Sequence, residues 1–440
     1  MNNNNNSNSN NKHDEPSPIY SNFLVVGLNP AYQKRLLLKQ NDSVLIPGNV
    51  HRIHQVLEGI GGKGQDVTVS LSILGILPDL LQFVGADAGG DNLMQLLREK
   101  LTICDDPNSA GTTVVTCSQQ EKHYHHDNDP VGKLTIRTRS KLRTCTTIVG
   151  SDNATELVEP SGVIETDELQ KLWKLISNVQ TNALCIMGSM PPGCPEDTYA
   201  NIIATVMRTS HNALCIIDSV VGLKSMLEAL AVLEARDRAV LKINMAELCK
   251  LASVRACSYA SSSSATTKKD IIEAAINGFV HAFGGAELVA RAISSILLTD
   301  GKDPGYIVQL LNPNVNNNGV LHQIYQMDAV DLSDRGLLFP IGAGDAVAAG
   351  TLAAWDYIYR LEGHSQAIAS NAMHADVQQC LLSRKEDFAT KDGACDIVRA
   401  FAFGVACGSA SCLVENNSEF RLNDAMRLFQ DLKAPVQLEP

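Results

Sequence analysis

A turn of small residues opens straight into an apolar helix pattern at 339–355, FPIGAGDAVAAGTLAAW, with Asp345 at the junction. Glycines let a backbone aim its N–H groups outward, and a helix start adds partial positive charge. Gly342, Ala343 and Gly344 are therefore a candidate cradle for an anion, such as a phosphoryl group in transit. Asp345 would then stand where an incoming hydroxyl must give up its proton. Phosphoryl transfer asks for positioning, charge neutralisation and a modest base, and a carboxylate is a sufficient base. The competing reading is a helix N-cap, a common place for aspartate.

Other candidates lie apart from this turn. GIGGKG (59–64) matches G-x-G-x-x-G, but no strong strand leads into it, and Lys63 precedes Gly64 where a P-loop needs serine or threonine. It reads better as a glycine loop that lets a ligand approach the backbone. Lys63 is then either a phosphate partner or a solvated loop lysine. Asn244 and Glu247 follow the apolar run AVLKI (239–243). A carboxylate there can hold Mg²⁺ through water, or simply favour a helix start. Arg143 offers a two-pronged fork for phosphate or carboxylate, or else belongs to a solvated cluster with Arg137, Arg139 and Lys141. His123, His125 and His126 lack the helical or Cys/His spacing of a zinc site and read as a polar loop.

The elements that must position these groups are those of an α/β protein. FLVVGLN (23–29) reads as a buried strand, and helices are expected over about 63–76 and 90–100, with strand-like TTVVTC and TTIVG between. From 165 strands and helices alternate. TDELQKLWKLISNV puts Leu169, Leu172, Trp173, Ile176 and Val179 on one face, with Thr166 as N-cap and Asp167 and Glu168 in the first turn. Strands follow at 183–187, 213–218, 239–243, 296–299 and 306–311; helices at 222–234 and 246–252, and others start near 343 and 397. This pattern predicts a mostly parallel sheet covered on both faces, with ligands beyond the carboxyl ends of its strands. Segments of about 258–266, 312–319 and 362–396 read as insertions without a core of their own. The expected organisation is a disordered asparagine-rich tail (1–22) and one domain (23–435) with a small β appendage.

Bulk properties set limits. The 440 residues are 45% hydrophobic and carry a net charge of −12, which argues against a nucleic-acid partner. Twelve cysteines without a C-x-x-C pair read as reduced core residues. No run is long enough to span a bilayer, and the first twenty residues are neither a secretory signal nor an Arg-rich presequence. The cytoplasm is the expected compartment, with a plastid address left open. The sequons at Asn41, Asn153 and Asn416 then carry no weight.

The segment around PIGAGDA resembles the C-terminal signature of the ribokinase-like (PfkB) carbohydrate kinases. It is most similar to the branch of 1-phosphofructokinase and tagatose-6-phosphate kinase. LNPAY (28–32), GIGGKGQDVTVSLSILG (59–75), LRTCTTIVGSDNATELVEPSG (142–162), MGSMPPGCPEDTY (187–199), LKINMAEL (241–248), LLTDGKDPGYIV (297–308) and FGVACGSASCL (403–413) resemble further family motifs in order. The resemblance implies a three-layer α/β/α core with a small β-sheet lid, its strands within about 31–50 and 111–150. It implies transfer of the ATP γ-phosphoryl group to a hydroxyl of a sugar or sugar phosphate, with Asp345 as base and the amides of Gly342, Ala343 and Gly344 stabilising charge. Lys242, Asn244, Thr299, Gly301, Gly305 and Gly408 would serve ATP, and Glu247 the Mg²⁺. Gln33, Gly62, Lys63, Asp66 and Arg143 would face the acceptor, and the lid would pair two copies.

Three positions depart from that pattern: Gln33 replaces an aspartate, Asp66 an asparagine, and Thr147 stands near a usual lysine. Glutamine donates as well as accepts, and a carboxylate beside a sugar phosphate is repulsive. A changed acceptor is the expectation. Two other readings stay open: a kinase fold kept as a binding or regulatory module, and a nucleoside kinase, against which TELVEPSG speaks.

Overall fold

The computed structural model describes residues 19–38, 45–101, 129, 131–150, 154–254, 267–311, 322–362, 373–388 and 395–438. Most of the asparagine-rich tail, the histidines at 123–126, and the segments 258–266 and 312–319 lie outside these.

Strands and helices are numbered along the chain. β1 (Ile19–Val26), β4 (Asp79–Gly85), β5 (Thr135–Thr138), β8 (Val179–Met187), β9 (Leu214–Asp218), β10 (Ala239–Asn244) and β11 (Ser295–Asp300) form the parallel part of one ten-stranded sheet. Three antiparallel strands, β12 (Asp303–Leu310), β13 (His322–Met327) and β14 (Val436–Gln437), extend one edge. The order is β14-β13-β12-β11-β10-β9-β8-β1-β4-β5.

The apolar runs make this sheet because each strand feeds two cores at once. Successive side chains of a strand point to opposite faces. In β1, Phe23 and Val25 enter one core and Leu24 and Val26 the other; in β9, Leu214 and Ile216 oppose Cys215 and Ile217. The first core is covered by α1 (Lys63–Ile73), α2 (Ala88–Leu101), α9 (Ala343–Leu361), α10 (Ala375–Ser383), α11 (Cys395–Ser411) and α12 (Leu422–Asp431). The second is covered by α3 (Thr166–Ile176), α4 (Thr198–Thr209), α5 (Leu223–Val232), α6 (Met245–Leu251), α7 (Lys268–Ala282) and α8 (Ala286–Ala292). The expected three-layer α/β/α arrangement is what the chain adopts. The eight cysteines whose surroundings are described are all free thiols. No helix among the described residues is long and apolar enough to cross a membrane.

A separate four-stranded sheet runs in the order β3-β2-β6-β7, with β2 Ala31–Leu38, β3 Ile53–Gly61, β6 Thr144–Val149 and β7 Ala154–Val158. Two of its strands, β3 and β7, fall beyond the windows 31–50 and 111–150. Other details differ too. The cap of α3 is Glu165 rather than Thr166, because Glu168 Oε2 accepts the Glu165 N–H at 2.8 Å while its Oε1 accepts the Arg139 N–H at 2.8 Å. Val179 belongs to β8. The polar stretch 362–396 contributes α10, whose Val377 and Leu381 are fully buried, so it adds to the core.

Helices α9 and α11 meet backbone to backbone. A Cβ at Gly404 would lie 2.1 Å from Thr351 Oγ1 and 2.5 Å from the Val347 carbonyl oxygen, and one at Gly350 would lie 3.0 Å from Gly404 Cα. Thr351 cannot yield easily, since its hydroxyl donates to that same carbonyl at 2.7 Å. Gly404→Ala is expected to lower stability by about 1–3 kcal/mol through overpacking. A urea melt with an unchanged midpoint would show that the two helices can separate freely.

Candidate active site

The parallel strands end on one side of the sheet, and a cavity of about 430 Å³ opens there against the four-stranded sheet. Gly342 is the hinge of its key turn. Its φ of 80° lies in the left-handed region, which glycine adopts without strain, and it caps the start of α9. Asp345 follows as the third residue of the helix, only 8% exposed, and borders the cavity. It is therefore inside the helix, not its N-cap. The Ala343 N–H donates back to the Pro340 carbonyl at 3.2 Å, and of Gly342, Ala343 and Gly344 only Gly342 lines the cavity.

Asp218, at the end of β9, is the residue that the sequence reading missed. It is 1% exposed and joins two lysines. Lys63 Nζ donates to its Oδ1 at 2.6 Å and Lys242 Nζ to its Oδ2 at 2.5 Å. Only its place, closing an apolar strand at the carboxyl edge of a parallel sheet, could have marked it. Lys63 also lies 3.9 Å from Glu247 Oε1. Burial alone would lower the Lys63 pKa, but the carboxylates of Asp218, Asp345 and Glu247 outweigh it and hold the ammonium charged.

Asp345 feels the opposite balance. Burial pushes its carboxyl up to about 7; Lys63 and Lys242 pull it down, while Asp218 and Glu247 push it up. Asp66, in the first turn of α1 and also bordering the cavity, is raised well above the usual range by burial, with Asp345 and Glu156 adding repulsion and Arg35 opposing.

Of the residues singled out from sequence, Gln33, Gly62, Lys63, Asp66, Arg143, Glu247, Gly342 and Asp345 all line this cavity. Arg143 is turned to other partners: its guanidinium donates to the Asn29 and Pro30 carbonyls at 2.8 and 3.2 Å. Gln33 Nε2 donates to Thr147 Oγ1 at 2.6 Å, so two of the three departures answer each other. Asn29, another missed residue, ties three motifs together. Its Nδ2 donates to Ser189 Oγ at 3.0 Å, and its Oδ1 accepts from Ser161 Oγ at 2.8 Å.

The residues assigned to ATP do not line the cavity. Lys242 reaches it through Asp218. Asn244 and Thr299 are register partners at the carboxyl ends of β10 and β11. Gly301 makes the turn between β11 and β12 with a φ of 61°, and Gly305 sits within β12 opposite Met327. Gly408 is inside α11, where a Cβ would lie 2.7 Å from the Ala343 carbonyl oxygen; its smallness seats the α9 turn.

A Mg²⁺ held by a protein cage does not fit these residues. The described residues contain no cluster of three ligating side chains, and Glu247 Oε2 already accepts the Asn244 N–H at 3.0 Å. Glu247 lines the cavity with its Oε1 3.9 Å from Lys63 Nζ, and a single carboxylate of this kind suits an ion bound mostly by phosphate oxygens and water.

No protein-family model and no curated protein matches the chain. Solved structures do. Phosphofructokinase-2 from Escherichia coli, in complex with substrates and products, superposes with a TM-score of 0.59 at 17% identity, over 93% of this chain and 98% of that one. A possible 1-phosphofructokinase from Thermotoga maritima gives 0.58 at 14% identity, over 96% and 100%. Ribokinase from Thermotoga maritima gives 0.51 at 14% identity, over 93% and 99%. The chain has the ribokinase-like fold. Within that ribokinase-like fold, the cavity lies between the sheet's carboxyl edge and the smaller sheet.

Removing one partner of a buried ion pair leaves the other charge uncompensated. Asp218→Asn is thus expected to lower stability by about 3–5 kcal/mol, because Lys242 is only 4% exposed. It also removes a charge that raises Asp345, whose protonation should move to lower pH. A thermal melt as stable as the parent would contradict the clamp.

Proposed function

We propose that the chain transfers the γ-phosphoryl group of ATP to a hydroxyl of a sugar or sugar phosphate. One observation carries this reading: a buried carboxylate, Asp345, borders the cavity in the first turn of a helix that Gly342, itself in the lining, opens in a left-handed conformation. The likeness of fold to sugar and sugar-phosphate kinases supports it.

The chemistry follows from these groups. The acceptor oxygen attacks the γ-phosphorus, the bond to the bridging oxygen breaks, ADP leaves, and the hydroxyl proton passes to Asp345. The Gly342 turn meets the negative charge on the phosphoryl oxygens. Lys63, held by Asp218 beside Glu247, adds fixed positive charge. Mg²⁺ carried by the nucleotide, next to Glu247, would neutralise the phosphates. The four-stranded sheet shields the acceptor from water, which restrains hydrolysis of ATP. Two copies pairing through that sheet belong to the same proposal, and Val56 and Leu157 are exposed on it.

Asp345→Asn keeps the shape and removes the base. Turnover should fall by roughly 10²–10⁴-fold, while ATP binding measured by calorimetry persists. A fully active variant would refute the mechanism. Activity on nucleosides alone would redirect it to a nucleoside kinase.

The raised carboxyl also sets two pH trends of opposite sign. Folding favours protonated Asp345, so its stabilisation is complete below about pH 4 and is lost as pH rises through about 7. Activity needs the ionised base, so kcat/KM should climb as pH rises through the same value. In Asp345→Asn the corresponding slope of stability between those limits should flatten, as measured by denaturant melts across pH.

A further inference from the structure

We infer that Arg35 is a positioning residue for phosphoryl transfer: it fixes the four-stranded sheet to the loop that holds the Gly342 turn, and so sets the place of Asp345. This rests on the phosphotransfer reading above and deepens it by a residue that lies outside the cavity lining.

Arg35 belongs to β2, the strand between β3 and β6. It is only 6% exposed, a rare degree of burial for arginine. The side chain reaches away from its own sheet. Its Nη2 donates to Asn416 Oδ1 at 2.9 Å, across 381 residues of sequence. Burial lowers the Arg35 pKa, while the carboxylates of Glu415, Glu419 and Asp66 favour its charged form. The partner is held from its other side. Asn416 Nδ2 donates to Glu419 Oε2 at 3.3 Å, and Glu419 Oε1 pairs with Lys100 of α2 at 2.8 Å. A charge-assisted bond to an amide that is itself anchored gives the sheet a fixed point on the loop between α11 and α12.

The same loop carries the contact with the turn. Asn417, next in the chain, lines the cavity. Ser418 Oγ donates to the Gly342 carbonyl at 2.9 Å, and that carbonyl also accepts the N–H groups of Asp345 and Ala346, each at 3.0 Å. A Cβ on Gly342 would lie 2.3 Å from Ser418 Oγ and 2.7 Å from the Ser418 nitrogen, so loop and turn are in close contact. At the start of the loop, the Cys412 carbonyl accepts the Phe339 N–H at 2.8 Å. One carbonyl therefore joins Asp345 to the segment that Arg35 anchors. A general base must sit within hydrogen-bond reach of the proton it takes, and a misplacement of about 1 Å can cost roughly 10²-fold in rate.

Arg35→Met keeps a buried stem and removes the donor. Glu415 and Asn416 are exposed, and Asp66 is already raised towards its neutral form, so the change strands no buried charge. In ADP-release assays over a panel of sugars and sugar phosphates, kcat should fall by roughly 10–100-fold while the KM for ATP stays within about threefold. Asn416→Ala should act alike, and the double variant should be no slower than the slower single one. Arg35→Lys keeps the charge and can make the single bond, so it should recover most of kcat. Amide hydrogen exchange at Asp345 and Ala346 should quicken in Arg35→Met and in Asn416→Ala. If Arg35→Met does not fold, Asn416→Ala, at an exposed residue, carries the test. A parental kcat in the variants, losses that multiply in the double variant, or unchanged exchange overturns this inference and leaves phosphotransfer standing. A parent chain silent on every acceptor, yet binding ATP in calorimetry, overturns both.

Discussion

One buried carboxylate shared by two lysines joins the halves of this site. Lys63 comes from the start of α1, beside the smaller sheet; Lys242 comes from β10, on the side where Asn244 and Glu247 stand; Asp218 lies between them at 2.6 and 2.5 Å. Asp218 and Lys242 are tolerated this deep only in mutual company, since each alone would carry an unrepaid desolvation penalty, whereas the Lys63 side chain is 38% exposed. The arrangement therefore fixes the distance between the two sides of the cavity more firmly than any loop could. It also sets the field at Asp345, where two ammonium groups oppose two carboxylates and burial decides the outcome.

The amide turn is tied to the same frame by a second route. Ser418 Oγ donates to the Gly342 carbonyl at 2.9 Å, and Ser70 Oγ of α1 donates to the Ser418 carbonyl at 2.6 Å. Ser418 adopts a φ of 55°, uncommon for a residue with a side chain, and is fully buried. A strained backbone persists where its surroundings over-determine it. Here it aligns the α9 turn with the helix that carries both Lys63 and Asp66. Gly408 seats the same turn from α11. Asp345, the Gly342 turn and Lys63 are thus positioned by packed helices.

What could be read in the sequence was what is local. The Asp345 turn and the apolar strands announce themselves within a dozen residues, because glycine, helix start and alternating burial act at short range. β3 did not, for its central residues His54, Gln55, Val56 and Glu58 are exposed and blur the period-two signal. α10 was hidden because only a few apolar side chains on one face of nine residues reach the core. Asp218 was hidden for another reason. Its meaning comes from lysines 155 and 24 residues away, and no spacing rule links them. The residues assigned to ATP by likeness lie at strand ends, in a turn and at a helix contact outside the cavity lining.

The pair of Gln33 and Thr147 shows why two departures can be one. The side chains belong to neighbouring strands, are 3% and 0% exposed, and satisfy each other through one 2.6 Å bond. An aspartate at 33 facing Thr147 would bury a carboxylate with a hydroxyl as its one neighbour. A lysine at 147 facing Gln33 would bury an ammonium beside a neutral amide. Either single change strands a charge, whereas changing both leaves either an ion pair or a neutral hydrogen bond, and both of those are self-consistent. Contacting residues of this kind do not contribute additively. Charge at this buried contact between β2 and β6 is consequently a property of the pair, and as Gln33 and Thr147 it is neutral.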